Sequence, residues 1–186
     1  MISADKFGAW NKFGIGVLNF TNTGTIESPL AAFFGGAGTD NVTNSGTFIG
    51  HVELNGGHDT YLGLGGTVIG QIRGGDGDDT FVLGMSADDV DGGFGIDTLD
   101  FSHSTTAMVI DLANPAANFA GGATGDSYAN IEIVKAGSKA DVIRGDAANN
   151  VLWGLNGSDR LEGGDGQDTL IGGTGNDILT GGAGAD

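Results

Sequence analysis

The chain has 186 residues, 38 of them glycine and only 2 proline, which excludes collagen, and its 39% hydrophobic content is too high for a chain that never folds. A net charge of −17, from 24 acidic and 7 basic side chains, excludes a nucleic-acid partner and argues against attachment to anionic lipid. There is no cysteine for disulfides or thiolate metal sites, and no apolar run approaches the roughly 18–20 residues that insert in a membrane as a helix.

The N-terminal segment, MISADKFGAWNKFGIGVL, lacks the basic-then-apolar pattern of a signal peptide, so an export address is expected elsewhere. Residues 1–73 carry a loose repeat of about twenty residues. TNTGTI (21–26) and TNSGTF (43–48) open two copies, and GGAGTDNVT (35–43) is a nonapeptide. GTFIGHVELNGGHDTY (46–61) matches GTVIGQIRGGDGDDTF (66–81), placing Asp59 on Asp79 and Gly57 on Gly77. The segment reads as degenerate β-solenoid coils, with Phe33 and Phe34 as core or cap and Trp10, like Trp153 downstream, as an exposed aromatic or end-cap.

Over 74–100 the repeat tightens to nine residues: GGDGDDTFV, LGMSADDVD and GGFGIDTLD. Position six holds Asp79, Asp88 and Asp97, and the inward candidates are Phe81, Val90 and Leu99. Residues 101–135 break the repeat, with strand-like runs at 107–112 and 131–134 around an Asn/Pro/Gly-rich loop. They are expected to continue the sheets as an insertion. From 136 to 186 the nonapeptides run without a slip: AGSKADVIR, GDAANNVLW, GLNGSDRLE, GGDGQDTLI, GGTGNDILT, GGAGAD. Position six is Asp141, Asn150, Asp159, Asp168, Asp177 and Asp186, and position eight is Ile143, Leu152, Leu161, Leu170 and Leu179. Glycine interrupts every apolar run before helical turns accumulate, so helices are not expected.

In one block, 163–171, three residues around Leu170 form a short strand and six remain for a turn. A turn that tight needs positive φ, which glycine adopts without steric cost. Leu170 faces one side of the strand, Thr169 and Ile171 the other. Two blocks then close a coil of eighteen residues, and coils stack at about 4.8 Å. Equivalent turns therefore recur every eighteen residues. Asp141, Asp159 and Asp177 line one edge; Asn150, Asp168 and Asp186 line the other; Asp79 pairs with Asp97 upstream. Two carboxylates about 5 Å apart repel by roughly 1 kcal/mol in water and several times more near a protein surface. Such a ladder needs a counterion. Calcium fits, because it accepts six to eight carboxylate and carbonyl oxygens, whereas magnesium holds its waters and zinc wants His or Cys. The three histidines, His51, His58 and His103, show no metal spacing.

These nonapeptides resemble the RTX, or hemolysin-type calcium-binding, repeats of secreted bacterial proteins, most closely over 136–186, well over 74–100 and weakly over 1–60. LDFSHSTTAMVIDL … NIEIVKAGSKADVIRGDAANNVLWG is similar to the segment that leads into the β-roll of serralysin-type proteases. The resemblance implies an all-β fold, a right-handed parallel β-roll or β-solenoid with short strands and Gly-Asp calcium-binding turns. It implies Ca2+ as the cofactor, held by the side chains of Asp79, Asp97, Asp141, Asp159, Asp168, Asp177 and Asp186. Asp59, Asp88 (in a turn with one glycine) and Asn150 (where the aspartate is replaced) are expected to serve weaker or empty sites. Backbone carbonyls are implied at Gly74, Asp76, Gly92, Gly154, Asn156, Gly163, Asp165, Gly172, Thr174, Gly181 and Ala183.

Catalysis finds no support. The sequence has no H-E-x-x-H, G-x-S-x-G, Walker loop or G-x-G-x-x-G, so an enzyme is not expected. Three readings follow: a calcium-responsive structural module of an exported bacterial protein; a repeat segment of a surface adhesin or surface-layer protein; or the accessory domain of a secreted enzyme (protease, lipase or epimerase type) without its catalytic part. The resemblance implies a secreted, extracellular or cell-surface location, a larger parent protein, and a type I exporter that threads the chain out unfolded. The chain ends at Asp186, before the strand that its turn should feed, so more sequence is expected to follow.

Overall fold

The computed structural model describes residues 9–10, 14–84, 86, 88–114, 117–120 and 123–186. The signal-peptide reading of the first residues, the side chain of Trp10, and Met85 and Ala87 of the 83–91 block lie outside what it describes. Parallel strands stack as a β-solenoid of about eight turns, and the described residues contain no α-helix. The chain divides into two compact units, Met1–Asp97 and Thr98–Asp186.

In the first unit, one sheet stacks Thr25–Phe34, Thr47–Gly56, Ile72–Asp76 and Asp89–Phe94, and the other stacks Leu18–Asn22, Asp40–Asn44, Thr60–Gly63 and Thr80–Leu83. The register shows coils that shorten along the chain. Thr25 pairs with Thr47, Thr47 with Thr67, and Ile72 with Val90: offsets of twenty-two, twenty and eighteen residues. Longer coils enclose a wider interior, and aromatic side chains fill it. Phe20, Val42, Tyr61 and Phe81 form one inward column, and Phe33, Val52, Ile72 and Val90 form another. The Phe20 ring lies 5.1 Å from Phe33 and 6.4 Å from Phe48 between centroids. Phe33 is buried, while Phe34 lies on the outer face.

In the second unit, Thr98–Asp100, Ile133–Lys135, Val151–Asn156 and Thr169–Thr174 form one sheet. Val109–Asp111, Val142–Arg144, Arg160–Gly166 and Ile178–Gly184 form the other. From Ile133 onward every partner lies eighteen residues away, and the inward columns are aliphatic: Leu99, Val134, Leu152, Leu170, and Ile110, Ile143, Leu161, Leu179. Each buried side chain of this size contributes roughly 1.5–3 kcal/mol. Across 101–135 the register jumps to thirty-five (Thr98 to Ile133) and thirty-three (Val109 to Val142), so the extra residues enlarge a single coil. Phe119–Ala120 and Ala123–Thr124 extend that coil's sheet edge as antiparallel strands.

Strands run longer than the three residues expected per block; Val151–Asn156 and Thr169–Thr174 are examples. Pairing continues into the turn, with Leu155 opposite Gly173 and Asn156 opposite Thr174, because identical coils keep their backbones in register beyond the inward residue.

Candidate metal centre

The position-six aspartates end the turns at which each strand begins, and stacking threads them into columns. Asp59 N–H donates to Asp79 Oδ1 (2.8 Å), and Asp79 N–H to Asp97 Oδ1 (2.8 Å). In the second unit, Asp141 N–H donates to Asp159 Oδ1 (2.9 Å) and Asp159 N–H to Asp177 Oδ1 (2.9 Å). On its opposite edge, Asn150 N–H donates to Asp168 Oδ1 (2.8 Å) and Asp168 N–H to Asp186 Oδ1 (3.1 Å). Each carboxylate thus fixes the turn of the coil before it with one oxygen.

The second oxygen is the unusual one. Oδ2 of Asp59, Asp79, Asp159 and Asp168 is buried and accepts no hydrogen bond from the described residues. A buried, unpartnered acceptor costs about 1–3 kcal/mol, and more when it is charged. Burial, the largest influence, pushes Asp79 up to about 7 and Asp59 and Asp141 to about 6 from an ordinary 3.8. Neighbouring carboxylates add to the rise: Asp59, Asp97 and Asp78 around Asp79, and Asp159 beside Asp141. Asp159 is raised as well, by burial first and then by Asp177.

Glycine makes this approach possible. A Cβ built on Gly74 would meet Asp79 Oδ2 at 2.2 Å and the Gly92 carbonyl oxygen at 2.3 Å. The same pairing of a carboxylate oxygen with the next coil's carbonyl occurs at Gly154 (Asp159 Oδ2 2.5 Å, Gly172 O 2.7 Å) and Gly163 (Asp168 Oδ2 2.3 Å, Gly181 O 2.4 Å). Of the other carbonyls implied by the sequence, those of Asp76 and Thr174 accept from Gly57 and Gly157 N–H, and each retains a second lone pair. Asp177 and Asp186 place their Oδ2 against Gly172 and Gly181.

Two candidates stand apart. Asn150 heads its column and is satisfied on both atoms, since Oδ1 accepts from Asp146 N–H (2.9 Å) and Nδ2 donates to the Ile131 carbonyl (3.2 Å). Asp88 takes the Ser86 hydroxyl on its carboxylate (3.2 Å), away from the Asp59–Asp79–Asp97 column. Sequence reasoning passed over Asp40, which extends that column by one coil: its N–H donates to Asp59 Oδ1 (2.7 Å), and its Oδ2 accepts from Gly36 N–H (2.8 Å). The signal was its sixth place in GGAGTDNVT. Also missed was an amide ladder on the other edge of the first unit. Asn22 Nδ2 donates to Asn44 Oδ1 (2.9 Å), and Asn44 Nδ2 donates to Tyr61 Oη (3.0 Å). The matching TN pairs at 21–22 and 43–44 were its trace.

Among the described residues, no three or more His, Cys, Asp or Glu side chains converge so as to hold a metal ion by themselves. A cation here must draw on paired carboxylates and turn carbonyls, an all-oxygen set with flexible geometry. That donor chemistry fits calcium and does not fit zinc.

Comparison with known families finds four copies of the RTX calcium-binding nonapeptide repeat, at residues 64–99, 128–161, 135–170 and 153–186, together more than half of the chain. These repeats are calcium-binding. Comparison with curated proteins returns no match.

Proposed function

The chain belongs to the RTX calcium-binding nonapeptide repeat family, and on that premise we propose that it is a calcium-responsive structural module of an exported protein, folding outside the cell on the metal it binds. The observation that carries this reading is the set of buried Oδ2 atoms with no partner among the described residues, of which those of Asp79, Asp159 and Asp168 lie beside a turn glycine. Asp79, Asp97, Asp159, Asp168, Asp177 and Asp186 supply carboxylate ligands, and the carbonyls of Gly92, Gly172 and Gly181 join them; Asp141, whose Oδ1 and Oδ2 accept from Met108 and Gly137 N–H, serves a weaker site. Asp59 serves a weaker site in the longer coils. Asn150 and Asp88 lie outside the set, since both already spend their side chains on local hydrogen bonds.

Calcium supplies the positive charge that the columns lack. Without it, ionised carboxylates must be buried against one another, while 38 glycines lose more backbone freedom than ordinary residues would. Where the site exists only in the folded state, binding free energy becomes folding free energy. The acidic repeats of 136–186 are then disordered at cytosolic calcium, which leaves them fit to be threaded by a type I exporter, and ordered at millimolar calcium outside. The absence of cysteine accords with a metal acting as the staple in place of disulfides. Circular dichroism of the whole chain through a calcium titration tests this. The part of the β-signal that comes from 136–186 should be lost in chelator and return at millimolar calcium; an unchanged β-signal in chelator would falsify the proposal.

A further inference from the structure

Of the asparagines in the chain, only Asn55 and Asn156 precede a glycine. A glycine offers its backbone nitrogen without a Cβ in the way, so Asn-Gly is the dipeptide most open to attack on its own side-chain amide. The attack needs the glycine N–H to be free and the backbone to turn toward Cγ. A folded coil that holds the nitrogen in a hydrogen bond blocks it, and an unfolded chain does not. The two sites share this chemistry and differ in what holds them.

Asn55 is held largely from the coil before it. Its Nδ2 donates to the carbonyls of Gly35 (3.2 Å) and Glu53 (3.3 Å), and Gly56 N–H donates to the Gly36 carbonyl (3.1 Å). These contacts belong to the first unit, whose interior is packed with the buried rings of Phe33, Phe48 and Phe81. Asn156 is exposed and is held from the coil after it, by one residue. Thr174 takes Gly157 N–H on its carbonyl (2.9 Å) and donates its hydroxyl to Asn156 Oδ1 (2.7 Å). Both coils of that contact belong to 136–186, the stretch whose order is proposed above to require calcium.

Resting on that reading, we propose that Asn156 is a deamidation site that calcium closes. In the calcium-free chain, Gly157 N loses its proton and attacks Asn156 Cγ; the new C–N bond expels Nδ2 as ammonia and leaves a succinimide. Water then opens that ring to aspartate or isoaspartate at 156. Aspartate is tolerated, since Asp76 and Asp165 fill the same third place of their nonapeptides. Isoaspartate adds one backbone carbon, which breaks the pairing of Leu155 with Gly173 and of Asn156 with Thr174. A chain left too long without calcium therefore loses its ability to close this coil.

The test holds the whole chain in chelator and in millimolar calcium, in mildly alkaline buffer. Peptide mass mapping follows both asparagines, with circular dichroism on the same samples. Asn156 should convert at least about tenfold faster in chelator than in calcium, and Asn55 should stay slow in both. Returned to calcium, the aged chain should recover less β-signal than a fresh one, and Asn156→Ser, which cannot cyclise, should recover fully. Equal rates at Asn156 in the two conditions, conversion of Asn55 as fast as that of Asn156, or full recovery of the converted chain would each overturn the proposal. Loss of the 136–186 β-signal with Asn156 intact would overturn this inference alone. A β-signal kept in chelator would sink the calcium reading and this inference together.

Discussion

The two turn edges of the first unit solve the same stacking problem with different atoms. On one, Asp40, Asp59 and Asp79 each hand a backbone N–H to the next carboxylate, the last of them to Asp97. On the other, Asn22 and Asn44 hand side-chain N–H groups onward, to Asn44 Oδ1 and Tyr61 Oη. Asn44 Nδ2 also reaches the Thr67 carbonyl (3.3 Å), and its Oδ1 takes Gly46 N–H (3.2 Å). An amide both donates and accepts, so its ladder closes on itself. A carboxylate only accepts, so each coil of Asp59 and Asp79 leaves an oxygen that needs a cation. On the function proposed above, metal dependence at Asp59 and Asp79 is decided by whether one buried atom is nitrogen or oxygen.

The largest expected effect falls at a glycine packed against the next coil, set against a glycine in open space. Gly74→Ala would drive a methyl group to 2.2 Å from Asp79 Oδ2 and 2.3 Å from the Gly92 carbonyl oxygen. We expect a loss of about 4 kcal/mol or more at saturating calcium, measured by denaturant unfolding. Gly24→Ala, with nothing within 4 Å of the new atom, should stay within about 1 kcal/mol of the parent. Equal losses in the two variants would erase the distinction.

Exchanging the atoms themselves sharpens the comparison. Asn44→Asp places a buried carboxylate oxygen against the Thr67 carbonyl, and should cost about 3 kcal/mol with or without calcium. Asp79→Asn keeps the acceptor for Asp59 N–H and turns a nitrogen toward the Gly92 carbonyl. That variant should gain about 1–2 kcal/mol in chelator while needing more calcium to reach its loaded state. Melting curves in chelator and in calcium distinguish the two outcomes. Parallel responses from both variants would contradict the atom-level account.

The solenoid and its phase were legible in the sequence where coils are uniform. The eighteen-residue spacing that sets Asp141 beside Asp159 and Asp168 beside Asp186 can be counted directly, because a fixed coil length transmits register without error. Asp40 was less visible because its neighbours follow at nineteen and twenty residues, Asp59 and then Asp79. The amide ladder was hidden for another reason: Asn at a turn is ordinarily satisfied by its own backbone, and only stacking reveals that Asn22 and Asn44 address each other. The bulge inside Thr25–Phe34 left no mark at all, because a register slip is a property of pairing, not of composition.

The smallest expected effect is also the one whose sign separates the two edges. Burial holds Asp59 up at about 6 and Asp79 at about 7, against 3.8 in an unfolded chain. Between those values the folded state binds more protons, so calcium-free stability falls as pH rises from about 4 through 7. The slope is below about 1.4 kcal/mol per pH unit for each proton involved. The same protons compete with the metal, so calcium affinity should move the opposite way and weaken as pH falls from 7 to 5. The amide ladder carries no group that titrates there. Urea unfolding in chelator across this range should therefore show a slope that Asp79→Asn reduces and Asn44→Asp does not. A slope unaltered by Asp79→Asn would place the titrating charge elsewhere in the chain and leave the columns with no claim to it.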